Sequence, residues 1–100
     1  MSRAAPGRAL NLPALASSAA GASIAVPGGP IAVQQLLAPH DLDGSEARWL
    51  LVLSGEVIVD LALGDFRVLR QGDALAFPVG VTAPLRSVSA PAVVVWQQGR

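Results

Sequence analysis

The sequence predicts an all-β protein in which short antiparallel strands form a sandwich or a barrel. From residue 48 onwards, β-prone segments recur at short, regular spacings, and Gly, Pro and Asp residues that favour turns separate them. No helical period runs through these segments. Regularly spaced short strands are typical of antiparallel sandwiches and barrels. With 100 residues, the chain has room for one domain with one core.

The N-terminal region is rich in Ala, Ser, Gly and Pro. Arg3 and Arg8 precede the apolar stretch 9–16, which is the order found in signal peptides. Because Asn11 and Pro13 interrupt that stretch, a signal peptide is the less favoured interpretation.

A short helix near residues 12–20 explains the same segment better. Asn11 is a suitable N-cap, a proline fits the first turn, and Gly21 is a suitable stop. We therefore divide the chain into an N-terminal tail with a short helix, residues 1–22, and a single β domain, residues 23–100.

Residues 23–26 and 31–37 are predicted to form a β-hairpin. The residues between them read Pro-Gly-Gly-Pro, whose fixed or permissive φ angles favour a turn. Residues 38–46 contain Pro, His, Asp and Gly and are predicted to be a polar loop.

The remaining strands are predicted from β-prone segments bounded by turn residues. Their predicted bounds are 48–54, 56–63, 66–70, 73–77, 81–87 and 92–97. Segments 50–53 and 93–96 are apolar at consecutive positions. Because side chains alternate across a strand, both faces of these two strands must be covered. A second subunit is the preferred cover, which predicts a homodimer; the alternative is that the N-terminal helix and hairpin cover them.

The composition excludes several classes of function. Basic residues number 7 and acidic residues number 7, so the formal net charge is zero. Phosphate backbones and anionic lipids attract cationic proteins, so neither nucleic acid nor a membrane surface is an expected partner. With no cysteine and one histidine, thiolate zinc sites and multi-histidine metal sites are excluded. No apolar run approaches the ~18 residues of a membrane span, and we expect a soluble, cytoplasmic protein.

Two segments resemble a known family. Residues 50–56, LLVLSGE, form a strand that ends at a glycine. Residues 69–81, LRQGDALAFPVGV, place a Gly-Asp turn before an apolar strand that ends at Pro-x-Gly. In this order and spacing they resemble a small single-domain cupin of the RmlC-like superfamily. The resemblance spans residues 31–97 and implies a cupin-type β-barrel, also described as a double-stranded β-helix or jelly roll.

The metal site of the cupin family is degenerate in this sequence. The family holds a divalent ion with two histidines in His-x-His, a glutamate and a later histidine. The positions that correspond are Asp41 and Asp43, Arg48, and Ala83. Arginine keeps its proton and would put a fixed positive charge where the ion sits. The resemblance therefore implies a lost ligand set, and we expect neither a metal nor another cofactor.

Arg48 is predicted to point into the barrel, because strand alternation places it with Leu50 and Val52. A buried guanidinium needs carboxylate partners. The acids that precede it are Asp41, Asp43 and Glu46. Internal pairing is the favoured interpretation, and the alternative is that Arg48 holds an anionic ligand through a bidentate contact.

These observations predict a metal-free, non-catalytic module that binds a small apolar or anionic molecule or has a regulatory role. No residue is assigned a catalytic role. The predicted binding residues at the barrel mouth are His40, Asp41, Asp43, Arg48, Leu50, Val52, Ala83 and Leu85. One alternative is a cupin enzyme, a dioxygenase or isomerase, with an atypical Asp/His ligand set or with His40 as base. Another is a structural protein whose interior its own side chains fill.

Overall fold

The N-terminal helix and the strands that follow it are clear in the computed structural model. It describes residues 9–43, 47–77, 82–88 and 91–98, except for the side chains at positions 43, 47, 48 and 98. The helix is α1, Leu12–Ser17. The strands are β1 Ile24–Ala25, β2 Ile31–Leu36, β3 His40–Asp43, β4 Ala47–Ser54, β5 Glu56–Asp60, β6 Phe66–Arg70, β7 Ala74–Ala76, β8 Thr82–Ser87 and β9 Ala92–Gln98.

The strands form two antiparallel sheets. One has five strands in the order β1-β2-β9-β4-β7, and the other has four in the order β3-β8-β5-β6. The predicted all-β antiparallel fold with a short N-terminal helix is confirmed, and its form is a jelly-roll sandwich. The sheets do not close into one barrel within the described residues. The outer strands of the larger sheet, β1 and β7, are only 2 and 3 residues long, which leaves little backbone with which to bridge the two sheets.

The predicted polar loop at 38–46 is wrong in its middle part. His40–Asp43 forms β3, which pairs with β8 so that Leu42 lies opposite Ala83. Both of these side chains are buried. The hydrogen-bonding groups of β8 and the burial of Leu42 therefore outweigh the weak strand propensity of His and Asp.

The main core fills the space between the two sheets. Its members alternate along the strands, as the period of two requires. They are Ala32, Leu36, Leu42, Leu50, Val52, Val57, Val59, Leu69, Phe77, Ala83, Leu85, Ala92, Val94 and Trp96.

A second cluster lies on the outer face of the five-stranded sheet. Ala16 of α1 is buried there with Val33, Val93 and Val95. The helix begins at Asn11, whose Oδ1 accepts a hydrogen bond of 3.0 Å from the Ala14 N–H, and turns continue from its end to residue 21. The outer face of β9 is thus covered by the chain's own helix, as the alternative interpretation expected.

The described residues include no helix long and apolar enough to cross a membrane.

Candidate functional site

Four of the predicted binding residues lie together inside the sandwich. Leu50 and Val52 of β4 and Ala83 and Leu85 of β8 have no exposed surface. They are packed into the main core. Their contribution to any site is an aliphatic wall.

His40 is the predicted site residue that brings a titratable group to this interior. It lies opposite Leu85 in the β3–β8 ladder, so its side chain is on the inner face with Leu85. Its imidazole stacks on the indole of Trp96, with ring centroids 6.2 Å apart and an interplanar angle of 21°. The indole is 6% exposed, whereas His40 is only partly buried. The imidazole is therefore the outer member of the pair.

Asp41 lies on the other side of the same strand. It is opposite Pro84, and both residues are exposed. Because neighbouring residues in a strand face opposite ways, Asp41 and His40 do not meet. The prediction that Asp41 lies at the barrel mouth is therefore wrong by one residue, because residues 40 and 42 are the ones that face the interior.

The backbones of Asp43 and Arg48 belong to β3 and β4. Their side chains are not among those that the structure describes. The pairing of Arg48 with an acid or an anion stays a prediction. The β4–β9 ladder shifts register between Ala47 and Leu50. Such a shift interrupts the simple alternation from which the orientation of Arg48 was predicted.

Gln34 was missed by sequence reasoning. It is 5% exposed and lies beside Val94, with the inward-facing Ala32 and Leu36 on either side of it in β2. Its Nε2 donates a hydrogen bond of 2.9 Å to the Gly21 carbonyl. Its Oε1 is buried and has no partner among the described residues. The signal that could have found it is a polar residue at the same strand parity as the apolar Ala32 and Leu36.

Gln34, His40 and Trp96 form what we call the polar corner of the interior. Gln34 pairs with Val94 and Ala32 pairs with Trp96, so Gln34 and Trp96 are diagonal neighbours on one face. Diagonal neighbours lie ~7–8 Å apart. The polar corner therefore combines an aromatic face, an imidazole and an unpaired amide oxygen within an aliphatic core.

Two of the four positions that the cupin resemblance implies for a metal have described side chains, and these two do not share a face. Asp41 is exposed on the outer face, whereas Ala83 is buried inside and offers only a methyl group. In the described residues, no group of three His, Cys, Asp or Glu side chains is placed to hold an ion. The other two implied positions, Asp43 and Arg48, have side chains outside the described ones, so the degenerate metal site stays a prediction.

Comparison with protein-family models found no match, and comparison with curated proteins found none either. Solved structures do resemble this chain. Protein NMB1881 from Neisseria meningitidis matches with a TM-score of 0.68 and 20% identity, over 92% of this chain and 100% of that one. A protein of unknown function from Rhizobium leguminosarum matches with a TM-score of 0.66 and 24% identity, over 92% and 95%.

A third similar structure is a proposed ethanolamine utilization protein Q from Salmonella typhimurium. Its TM-score is 0.52 at 14% identity, over 69% of this chain and 68% of that one. The likeness shows a shared fold. At these identities it does not extend to an activity or a ligand.

Substitution of Gln34 tests how the polar corner is built. Gln34→Glu should lower the free energy of unfolding by about 3 kcal/mol at neutral pH, because a buried carboxylate would face the Gly21 carbonyl. Burial raises the pKa of such a glutamate, so its folded form binds a proton more readily than its unfolded form. The loss should therefore be absent below the unfolded pKa of about 4.3 and grow as the pH rises through the folded value. Urea unfolding across this pH range measures it.

Gln34→Met is the matched control. It removes one hydrogen bond but also removes the unpaired Oε1, so we expect a change of less than about 1 kcal/mol. If the glutamate and methionine variants are equally stable at neutral pH, position 34 is not buried in a low-dielectric interior.

Proposed function

We propose that this protein is a metal-free, non-catalytic cupin-like module of the cytoplasm that binds a small molecule at the polar corner or has a regulatory role. The observation that carries the proposal is the stack of a partly exposed His40 on the buried Trp96. An aromatic face at the edge of an apolar interior is suited to a small planar ligand.

The packing of the core defines how a ligand would enter. Leu50, Val52 and Leu85 fill the interior behind the indole, so a ligand gains space only by taking the place of the imidazole. His40 is only partly buried, so its displacement costs less buried contact than displacement of the indole would. The ligand would then stack on Trp96 in its place.

Gln34 supplies the polar part of recognition. Its Oε1 has no partner among the described residues, so the ligand that fits best is planar and apolar and carries one hydroxyl or N–H group to donate to this oxygen. An anionic ligand would accept a hydrogen bond from the imidazole of His40 instead.

Fluorescence of Trp96 tests the proposal. The chain has two tryptophans, so Trp49→Phe leaves Trp96 as the only one. Titration with phenol, which is planar and has a donor, should quench this fluorescence saturably, and Gln34→Met should weaken phenol binding roughly tenfold. Benzoate, which is planar and anionic, should bind more weakly after His40→Ala. Cyclohexanol, which has the donor without the aromatic face, is the matched control probe and should bind least.

The proposal is contradicted if neither phenol nor benzoate gives saturable quenching. It is equally contradicted if Gln34→Met and His40→Ala leave both affinities unchanged, because binding would then lie elsewhere.

The enzyme alternative has no specific support in the described geometry. Its atypical ligand set needs His40 and Asp41 on one side of β3, and they lie on opposite sides. The use of His40 as a base without a metal stays a prediction.

We also propose that the protein is a homodimer that uses the outer face of β4 and β7, beside the part of the five-stranded sheet that α1 covers. This surface, which we call the β4 shelf, consists of Trp49, Leu51 and Leu53 with Ala74 and Ala76 of β7. The pairs Trp49↔Ala76 and Leu51↔Ala74 set large side chains beside small ones. The five side chains are apolar and none is fully buried. An apolar, uncharged surface of this kind is suited to an isologous contact with a second copy.

A further inference from the structure

Strand β6 is an edge of the four-stranded sheet. It pairs with β5 along its length, and no other described strand lies beside it. Open strand edges offer unpaired N–H and C=O groups to other chains, and they promote association unless they are protected.

The hydrogen-bond alternation shows which residues of β6 face the open side. The Leu61 N–H donates to the Asp65 carbonyl at 2.8 Å. In an antiparallel pair, bonded positions alternate with unbonded ones, so Asp65, Arg67 and Leu69 turn their backbone groups toward β5. The β5–β8 pairing agrees with this assignment. Glu56 accepts a hydrogen bond of 3.0 Å from the Val88 N–H, so its carbonyl faces β8 and not β6. Phe66, Val68 and Arg70 therefore turn their N–H and C=O groups to the open edge.

Both outward groups of Phe66 are occupied by neighbouring charged side chains. Its N–H donates to Asp65 Oδ1 at 2.9 Å, and its carbonyl accepts from Arg67 Nη1 at 2.9 Å. Arg67 Nη1 also lies 3.0 Å from Asp65 Oδ1. These contacts with Arg67 and the Phe66 N–H hold the pKa of Asp65 below its ordinary value, so the carboxylate stays charged in mildly acidic solution.

The outward groups of Arg70 are occupied in the same way. Its N–H donates to Asp73 Oδ2 at 2.9 Å. Its carbonyl accepts from the Asp73 N–H at 2.8 Å. Asp73 thus closes the other end of the same edge.

Val68 is the position on this edge for which the described residues offer no such cap. Its side chain is 37% exposed, and the neighbouring Phe66 is 54% exposed. Apolar side chains beside free backbone groups are the features that favour strand addition.

We propose that Asp65, Arg67 and Asp73 are edge caps that keep β6 from pairing with the β6 of a second copy. Without them, two copies would pair antiparallel about Val68. Each Val68 would then exchange two backbone hydrogen bonds with its counterpart, and each Phe66 would lie opposite the other copy's Arg70. This inference does not depend on the polar corner or on the β4 shelf, because it concerns the opposite sheet.

The double variant Asp65→Ala/Asp73→Ala tests the proposal by light scattering after gel filtration. We expect its mean mass to rise to at least roughly twice the wild-type value at micromolar concentration, because an uncapped edge is a template for strand pairing. Adding Val68→Pro should return the mass to the wild-type value. Since the N–H of Val68 faces the open edge, a proline there removes no bond to β5.

The matched control is Glu56→Ala/Asp60→Ala. It also removes two carboxylates from this sheet, which are paired with Arg70 and Arg86, but it uncovers no backbone group of β6. Its mass should equal that of the wild type. The proposal is overturned if the capping variant keeps the wild-type mass, if Val68→Pro fails to reverse the association, or if the control associates equally.

Hydrogen exchange of the wild-type protein keeps the test decisive if the capping variant does not fold. The amides of Phe66 and Arg70 should exchange several-fold more slowly than the amide of Val68, because each donates to a carboxylate. Equal exchange of the three amides would show that the caps do not hold in solution and would overturn the proposal.

Discussion

Replacing Gly55 with alanine is expected to lower the free energy of unfolding by about 3 kcal/mol, from strain and overpacking together. Gly55 joins β4 to β5 with a φ of +81°. A Cβ there would lie 2.9 Å from the Cβ and 3.0 Å from the Cα of Ala92. Ala92 is itself fully buried, so its backbone cannot move away without disturbing β9. Urea unfolding followed by far-ultraviolet circular dichroism measures the loss.

Gly72→Ala separates the two causes. Gly72 has a φ of +90°, but nothing lies within 4 Å of an added Cβ. We expect only the conformational cost, about 1–2 kcal/mol. If Gly55→Ala is no more destabilising than Gly72→Ala, the close approach of β9 to the β4–β5 turn is not maintained in solution.

Replacing Leu51 with aspartate is expected to convert the proposed dimer into a monomer. Leu51 is at the centre of the β4 shelf, between Trp49 and Leu53, and a charge there would be buried without a partner on association. The wild type should have twice its chain mass by light scattering at micromolar concentration, and Leu51→Asp should have the single-chain mass. Circular dichroism distinguishes dissociation from unfolding.

Phe66→Asp is the matched control for the dimer. Phe66 is also an apolar residue with solvent exposure, but it lies on the four-stranded sheet. Its replacement should leave the dimer intact. A monomeric wild type, or equal dissociation of both variants, would contradict the β4 shelf as the interface.

Local patterns predicted the elements that are made of β-prone residues and bounded by turn residues. The segment 66–70 was predicted with the same bounds that β6 has, and β4, β8 and β9 differ from their predictions by one residue at one end. Apolar alternation and glycine turns act within a few residues along the chain, so the sequence alone is enough to show them.

The candidate site was predicted less well, because its residues depend on partners distant in sequence. Leu50, Val52, Ala83 and Leu85, which were predicted at the barrel mouth, lie fully buried in the main core, and their role in binding stays a prediction. The sequence did not show that Gln34 is buried or that His40 stacks on Trp96. Those facts follow from the positions of β2 and β9 in one sheet and of β3 in the other.

The sequence by itself determined an all-β antiparallel fold, a chain with no thiol ligand, and the apolar faces of the long strands. Only the tertiary structure decided that residues 40–43 form a strand and that His40, rather than Asp41, faces the interior. The physical reason is register: the pairing of β3 with β8 fixes which alternate side chains are buried, and a shift of one residue would reverse them. A short polar segment carries no apolar pattern strong enough to fix that register before β8 is in place.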